Sequence, residues 1–521
     1  MTSDTRLREL LRGAAWIPED VRRADGYERV DEAVLAPGAT LLVVSPVGGP
    51  AHGRRLLVPV SGDGSGRLGE AQGTTAFDRA CVRLVAAGGR LPTVRGGHLE
   101  FRGRGTPVDS VEPLPFEQGW SSNSLSLIDI DGLPHLHKTY RTLGADVREP
   151  ELLRLMNDSG RTPRWFGDYS YLPPGGEERL PLGVIYAYAP GSGIDAPLRE
   201  NLRSLWPKLL PGTEGEPLPG TGPKESVEDL VHRHLAPLAD PLHTAGRFLG
   251  AFHEDLRLRL GGGTAPPDYP VRRALRAAEE RTAALAERAR TEPRLPSPTL
   301  AGAFRSITSE IERLREAFDT SDTRWSAGPC HGDLHLSHLL WDPPRLIDIS
   351  TPGTGPDDPG WAEQSPLEDV VALQRALEYF SADEAAFESA RILGVDSTET
   401  MLGALDGAPG LPPEQRSVLL LVFEAADTWR RRVVELLLSP VLPEFPDLPG
   451  IPGLPEASGP AGPPVLSDAP LRRLLYLRRL LHELDYNFAH ARPYHAAIDL
   501  RHALALGPVG KTPPSHHEVL T

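Results

Sequence analysis

Two carboxylates joined by a short apolar stretch constrain this chain more than any other feature. The first is Asp333, within Cys330-His331-Gly332-Asp333-Leu334-His335-Leu336-Ser337-His338-Leu339-Leu340; the second is Asp348, inside the β-branched run Leu346-Ile347-Asp348-Ile349, which reads as a strand. A loop carboxylate followed by a strand-borne one is how a phosphoryl-transfer site holds a base and a metal ligand on either side of the moving group. The same loop carries three histidines, and His335 and His338 are spaced to share a helical face. With His331 and Asp333 they would suit Zn²⁺ in a metal-dependent hydrolase. The rest of the chain has to decide between these readings.

Residues 40–60 read as two strands around a Gly/Pro-rich turn, Phe77 to Ala87 as a helix, and Gly97 to Phe101 as a further strand. A second β pattern follows Pro115. Ser124-Leu125-Ser126-Leu127-Ile128-Asp129-Ile130 alternates, Asp131-Gly132 is a two-residue hairpin turn, and His135 to Tyr140 returns with Lys138 on it. A helix is expected from Glu149 to about Asn157, then a buried strand over Pro181 to Tyr188. Helical spacing recurs over Thr244–Leu260, Val271–Ala289, Leu367–Tyr379, Arg416–Ser439 and Leu471–Phe488. Residues 211–224 and 440–470, dense in Pro and Gly, read as loops. A Ser-rich hairpin, a strand lysine, an acidic helix, an apolar strand, helices and then an aspartate loop follow the order of the protein-kinase-like fold. The expected class is therefore α+β and bilobal. Its parts are an N-terminal β-rich cap over 1–110, an N-lobe over 111–195 and a mainly helical C-lobe over 196–521.

Bulk properties narrow the partners. A chain of 521 residues has room for two to four domains. The net charge of -16 argues against nucleic acid or an anionic membrane as the main partner, since both call for concentrated positive surface. Two cysteines, Cys81 and Cys330, make no disulfide framework. With no signal-like N-terminus and no membrane-length apolar run, a cytoplasmic location is expected. Cys330 beside His331 is not read as a nucleophile pair, because such pairs are assembled from distant segments.

His331-Gly332-Asp333-Leu334-His335-Leu336 resembles the catalytic loop of bacterial maltokinases and actinobacterial glucosamine kinases, within the aminoglycoside-phosphotransferase-like group. Glu117-Gln118-Gly119-Trp120-Ser121-Ser122-Asn123-Ser124 looks like that family's phosphate-loop segment. Ser365-Pro366-Leu367-Glu368-Asp369-Val370 resembles its motif after the metal-binding strand, and His482-Glu483-Leu484-Asp485-Tyr486 through Arg492-Pro493 its C-terminal helix. The N-terminal sheet is similar to the maltokinase cap.

The resemblance implies an ATP-dependent kinase acting on a sugar or amino sugar, glucosamine- or maltose-like, with Mg²⁺ or Mn²⁺, as a monomer or homodimer. Asp333 would be the base and Asp348 a metal ligand. Lys138 would hold phosphates and Glu151 would position it, with Glu149 as the rival. Ser121, Ser122 and Asn123 would contact phosphates, and the backbone of Ala187 and Ala189 would read adenine. Trp429, Asp485 and Tyr486, with Asp333, would meet the acceptor, although Trp429 lies in an apolar-periodic helix where core packing is the simpler role. Two departures stand out. His338 replaces the family's Asn or Gln as second metal ligand, and Ile349-Ser350-Thr351-Pro352-Gly353 replaces Phe-Glu-Gly-Glu-Pro. An imidazole is a poorer Mg²⁺ ligand than an oxygen. Weaker Mg²⁺ binding, a Mn²⁺ preference and a degenerate pseudokinase all remain open, as do aminoglycoside and aminocyclitol acceptors.

Overall fold

The computed structural model describes residues 3–14, 17–62, 68–118, 121, 123–144, 147–176, 178–210, 226–261, 267–290, 297–321, 324–349, 363–394, 396, 411–441 and 469–506. The loop expected at 211–224, and nearly all of that expected at 440–470, lie outside these residues. The chain divides into two compact units, Met1–Gly191 with Arg345–Thr351, and Ser192–Pro344 with Pro352–Thr521.

The first unit contains two antiparallel sheets. One has the order β1 (Gly26–Ala36), β2 (Ala39–Val47), β3 (Leu56–Gly62), β4 (Leu68–Glu70). Its apolar run Leu41-Leu42-Val43-Val44 is continuous rather than alternating because both faces are covered. Leu42 and Val44 pack with Leu7, Leu11, Ile17 and Val21 from α1 (Ser3–Gly13), α2 (Glu19–Arg22) and the segment between them. Leu41 and Val43 join a second core with Phe77, Cys81, Val82 and Val85 of α3 (Thr75–Ala87). Thr74 caps α3, its hydroxyl accepting from the Phe77 amide at 3.3 Å.

The larger sheet has seven strands in the order β5 (Gly89–Pro92), β6 (His98–Gly103), β10 (Trp165–Leu172), β11 (Leu180–Ala187), β9 (Leu133–Thr139), β8 (Ser124–Ile130), β7 (Val111–Leu114). The boundary expected at residue 110 falls inside this sheet. The β8–β9 hairpin closes on the pair Ile130↔Leu133 through Asp131 at φ 52 and Gly132 at φ 81. Both central residues are thus left-handed, as the turn that matches strand twist requires.

Burial along β8 runs opposite to the apolar pattern. Ser124, Ser126, Ile128 and Ile130 are buried, while Leu125 and Leu127 are only half-buried. The two serines are accommodated by partners rather than by hydrophobicity: Ser126 donates to Asp78 at 3.0 Å and Ser124 to Glu70 at 3.2 Å. His137 of β9 joins them, its ring nitrogens 2.7 Å from Asp78 and 2.9 Å from the Tyr169 hydroxyl. Side chains alternate across a strand. With His135, His137 and Thr139 on one face of β9, Lys138 is aimed at the other.

The second unit is helical: α5 (Asp195–Leu209), α6 (Val227–Leu235), α7 (Ala239–Gly261), α8 (Val271–Ala289), α9 (Ser297–Asp319), α10 (Leu367–Leu393), α11 (Pro413–Leu438), α12 (Ala469–Ala489) and α13 (Pro493–Leu504). Helix α10 is buried nearly all round, from Val370, Val371 and Leu373 to Ala385 and Ala386, which places it at the centre of this core. A β-rich N-terminal part and a helical C-terminal part make up the expected α+β class.

Candidate active site

Lys138 is 3 % exposed and carries its ammonium between two carboxylates of the same unit. Nζ lies 2.7 Å from Glu149 Oε2 and also donates to Asp348. Glu149 opens helix α4 (Glu149–Leu155), and its Oε2 takes a further hydrogen bond from the Tyr140 hydroxyl at 2.8 Å. Burial alone would drive Lys138 to lose its proton, but Glu149 and Asp348 outweigh it and hold the group above its ordinary value. For Glu149 the balance falls the other way: burial pushes its carboxyl up despite the pull of Lys138. The Oε1 atom of Glu149 is buried without a hydrogen-bond partner. The site therefore keeps a lysine charged in a dry setting, next to a carboxylate with spare accepting capacity.

Asp348 is not on a strand. The strand ends at Leu346, and Asp348 follows in a loop with φ 54, a left-handed conformation uncommon outside glycine but tolerated by aspartate. Its side chain is 41 % exposed, unlike those of Lys138 and Glu149. Glu151, expected to position Lys138, instead pairs with Arg148 at 3.1 Å on the surface. The reason is helical phase: two residues along an α-helix turn a side chain by about 200°, so Glu149 and Glu151 face nearly opposite ways. The role falls to its rival, Glu149.

In the second unit, the loop bearing Asp333 is held from behind by Asp369 of α10, which is fully buried. Asp369 accepts from the amide of His331 at 2.7 Å, the amide of Gly332 at 2.9 Å and His253 Nε2 at 2.8 Å. Burial opposes its charge, but the His253 hydrogen bond and charge, with His331 and the Gly332 amide, hold Asp369 below the usual carboxylate value. Gly332 has φ +90, a conformation a β-carbon disfavours, and this sharp turn leaves the next residue, Asp333, half-buried rather than enclosed. The backbone carbonyl of Asp333 accepts from His338 Nδ1 at 2.9 Å. Because a carbonyl only accepts, Nδ1 is the donor in that bond. The His335 ring lies against that of His338, tilted by 37° with ring centroids 3.4 Å apart.

Arg479 of α12 faces this loop. Burial would favour losing its proton, but Glu483 and, further off, Asp333 hold it up. Arg479 Nε donates to Glu483 at 2.7 Å, and the other oxygen of Glu483 accepts from Arg375 Nε at 2.7 Å. Arg375 is wholly buried and also donates to Glu378 and Asp499. Asn487 donates to Asp499 at 2.8 Å, and the Asp499 carboxyl is pushed up to about 7, by burial above all.

The remaining expected site residues are scattered. Ser122 lies outside the described residues; Ser121 Oγ accepts from the Asn123 amide at 3.1 Å, an ordinary turn contact. The Ala187 amide is committed to the carbonyl of Arg164 at 2.8 Å, so its N–H is not available to read a base edge; Ala189 lies just past the end of β11. Trp429 is fully buried, its indole donating to Asn201 at 2.8 Å, so packing accounts for it rather than acceptor contact. Asp485 pairs with Arg288 at 3.0 Å, and Tyr486 is 44 % exposed against His490. Among the described residues no group of three or more His, Cys, Asp and Glu could hold a metal ion. The histidine loop thus gathers no zinc-type ligand set there; one of its imidazoles is spent on a backbone carbonyl.

Glu149 was visible only as a rival, and Asp369 only as part of a motif. His253, Arg375 and Arg479 carried no sequence signal, because each acts on a residue far away in the chain.

Residues 217–356 match the model of the phosphotransferase enzyme family, APH. In fold the chain is similar to a glucosamine kinase in complex with glucosamine, ADP and inorganic phosphate, with a TM-score of 0.51 and 16% identity, covering 96% of this chain and 99% of that one. A second glucosamine kinase structure, crystal form B, gives a TM-score of 0.51 at 15% identity, covering 95% of this chain and 97% of its own. No curated protein matches. No helix among the described residues is long and apolar enough to cross a membrane. The chain thus shares the fold of glucosamine kinase along nearly all its length and matches the phosphotransferase enzyme family over residues 217–356.

Proposed function

We propose that this protein transfers the terminal phosphoryl group of ATP to a hydroxyl of a sugar or amino sugar, glucosamine- or maltose-like. The observation that carries this reading is the buried Lys138 held charged between Glu149 and Asp348. Such a lysine is a fixed cation for phosphate oxygens, and Glu149 limits where it can point. Asp348, the more exposed of its two partners, is the one that would turn from the ammonium to a divalent cation. Asp333 accepts the hydrogen bond of the acceptor hydroxyl and takes its proton late in transfer, while Asp369 keeps the loop in place.

Asp348 would supply the hard carboxylate oxygens that Mg²⁺ or Mn²⁺ prefers, and an imidazole such as that of His338 suits Mn²⁺ better than Mg²⁺. When bound, the ion neutralises charge on the phosphate oxygens.

An ATP-coupled screen over sugars, amino sugars, aminoglycosides and cyclitols, with Mg²⁺ and with Mn²⁺, tests the reading. The expected result is ADP release only with a suitable acceptor, abolished in Asp333→Asn while nucleotide binding survives. Unchanged turnover in Asp333→Asn would remove Asp333 as the base, and silence across the panel would remove the kinase reading itself.

A further inference from the structure

A second charged recess lies in the first unit, against the face of α4 turned away from Glu149. Arg148, Glu151 and Arg154 line it from α4 and the residue before it, Arg102 from β6, Asp168 from β10, and Arg179 from the segment leading into β11; the cavity is about 240 Å³. Four guanidinium groups thus line the recess in a chain whose net charge is -16, facing Glu151 and Asp168, while Glu100 beside it pairs with Arg179 and, at 3.7 Å, with Arg102. Positive charge still exceeds negative there, four groups to three, which favours an anion.

Two features separate this from an ordinary solvated patch. Arg179 donates through Nη2 to Glu100, yet its Nη1 is buried with no hydrogen-bond partner. An unmatched buried guanidinium donor is expensive, and an oxyanion is the group that matches it. Asp168, 4 % exposed, forms part of the wall, and its Oδ2 accepts from the Trp165 indole at 3.2 Å. Burial above all pushes its carboxyl up to about 6, against the pull of Arg102 and Arg154 and with Glu100 adding to the rise. One of the two negative charges in the wall is therefore weakly held.

We infer that this recess binds a small phosphate-bearing anion, free phosphate or the phosphate group of a small ester, through Arg102, Arg148, Arg154 and Arg179. A cavity of about 240 Å³ is below the usual range for drug-sized ligands and suits one phosphate with a small appendage. Neither α4's Glu149 nor Lys138 lines it, so the site is distinct from the lysine site.

The indole N–H resonance of Trp165, assigned with Trp165→Phe, reports on this cavity rather than on any other phosphate site. Full-length protein is titrated with inorganic phosphate, with a hexose 6-phosphate and with the unphosphorylated hexose. The expected result is a saturable shift of the Trp165 resonance with either phosphate and none with the bare hexose. Tighter binding of the ester assigns the site to an ester and equal binding to free phosphate; both uphold an anion site. Arg179→Gln weakens binding by about tenfold, and Arg102→Gln does the same should the first variant misfold. Asp168→Asn, which removes the opposing charge at pH 8, tightens binding severalfold. A Trp165 resonance unmoved at roughly 10 mM phosphate, or shifts indifferent to all three substitutions, overturns the inference.

Discussion

The ammonium of Lys138 and the carboxylate of Glu149 lie 2.7 Å apart with side chains 4 % and 3 % exposed, so each is the other's buried counter-charge. Removing one partner of a buried pair costs about 3–5 kcal/mol. Lys138→Met is expected to approach the lower end, because Glu149, already pushed up by burial, takes a proton instead. Lys138→Met with Glu149→Gln should recover part of the loss, whereas Glu151→Gln, at a 47 % exposed side chain, should change stability by less than about 0.5 kcal/mol. Denaturant unfolding of the four proteins measures this. Turnover of Lys138→Met should fall by about 100-fold or more.

Asp369 makes a different prediction, in acid. Its folded-state value lies below the ordinary one, so its stabilisation is present above the unfolded-state value of about 3.9 and is lost as pH falls through the lower folded value. Asp369→Asn loses one of three good acceptor contacts and should cost about 2–3 kcal/mol at pH 7. The gap between wild type and variant should close below about pH 4. Melting curves from pH 3 to pH 8 follow both; a gap that stays constant in acid would refute the assignment.

Asp168 has the opposite sign. Its carboxyl is raised to about 6, so the folded protein keeps a proton that the unfolded chain releases, and stability falls as pH rises from the unfolded value to about 6. Asp168→Asn removes that loss. It should be stabilising at pH 8 by at most about 2–3 kcal/mol and close to neutral at pH 4, read from the same melting series.

His338→Asn exchanges an imidazole nitrogen for a hard oxygen donor. Under the kinase reading, turnover with Mg²⁺ should rise relative to turnover with Mn²⁺ by about threefold or more. The ratio of the two rates, rather than either alone, is the measurement, since the variant also loses the hydrogen bond from Nδ1 to the Asp333 carbonyl.

What the sequence showed about the site was whatever depended on local pattern. The Asp131-Gly132 turn announced the β8–β9 hairpin, and with it the strand that carries Lys138. Glu151 was favoured over Glu149 although the helix start at Glu149 was legible, because which helix carboxylate meets Lys138 depends on how α4 packs against the sheet and not on local pattern. The alternation of β8 was legible but not which face turns inward, because serines can be buried when Asp78 and Glu70 receive their hydroxyls. Helix α9 was legible in principle from Leu300, Ala303, Ile307, Ile311 and Leu314, which keep one apolar stripe. The hold of Asp369 on the 331–333 loop joins residues 37 and 38 apart in sequence, and periodicity carries no information about such a contact.

The Arg375 cluster bears on how the molecule is made. Arg375 leaves the ribosome 108 residues ahead of Glu483 and 124 ahead of Asp499, two of the carboxylates that neutralise it. Until α12 and α13 emerge, α10 has a guanidinium that must stay hydrated, and it cannot settle into its final surroundings. The loop that α10 grips through Asp369 gains Arg479 and Glu483 in the same late step. The nascent chain therefore carries Asp333 and its loop well before the setting of that loop is finished, and the loop is completed only once α12 and α13 have emerged.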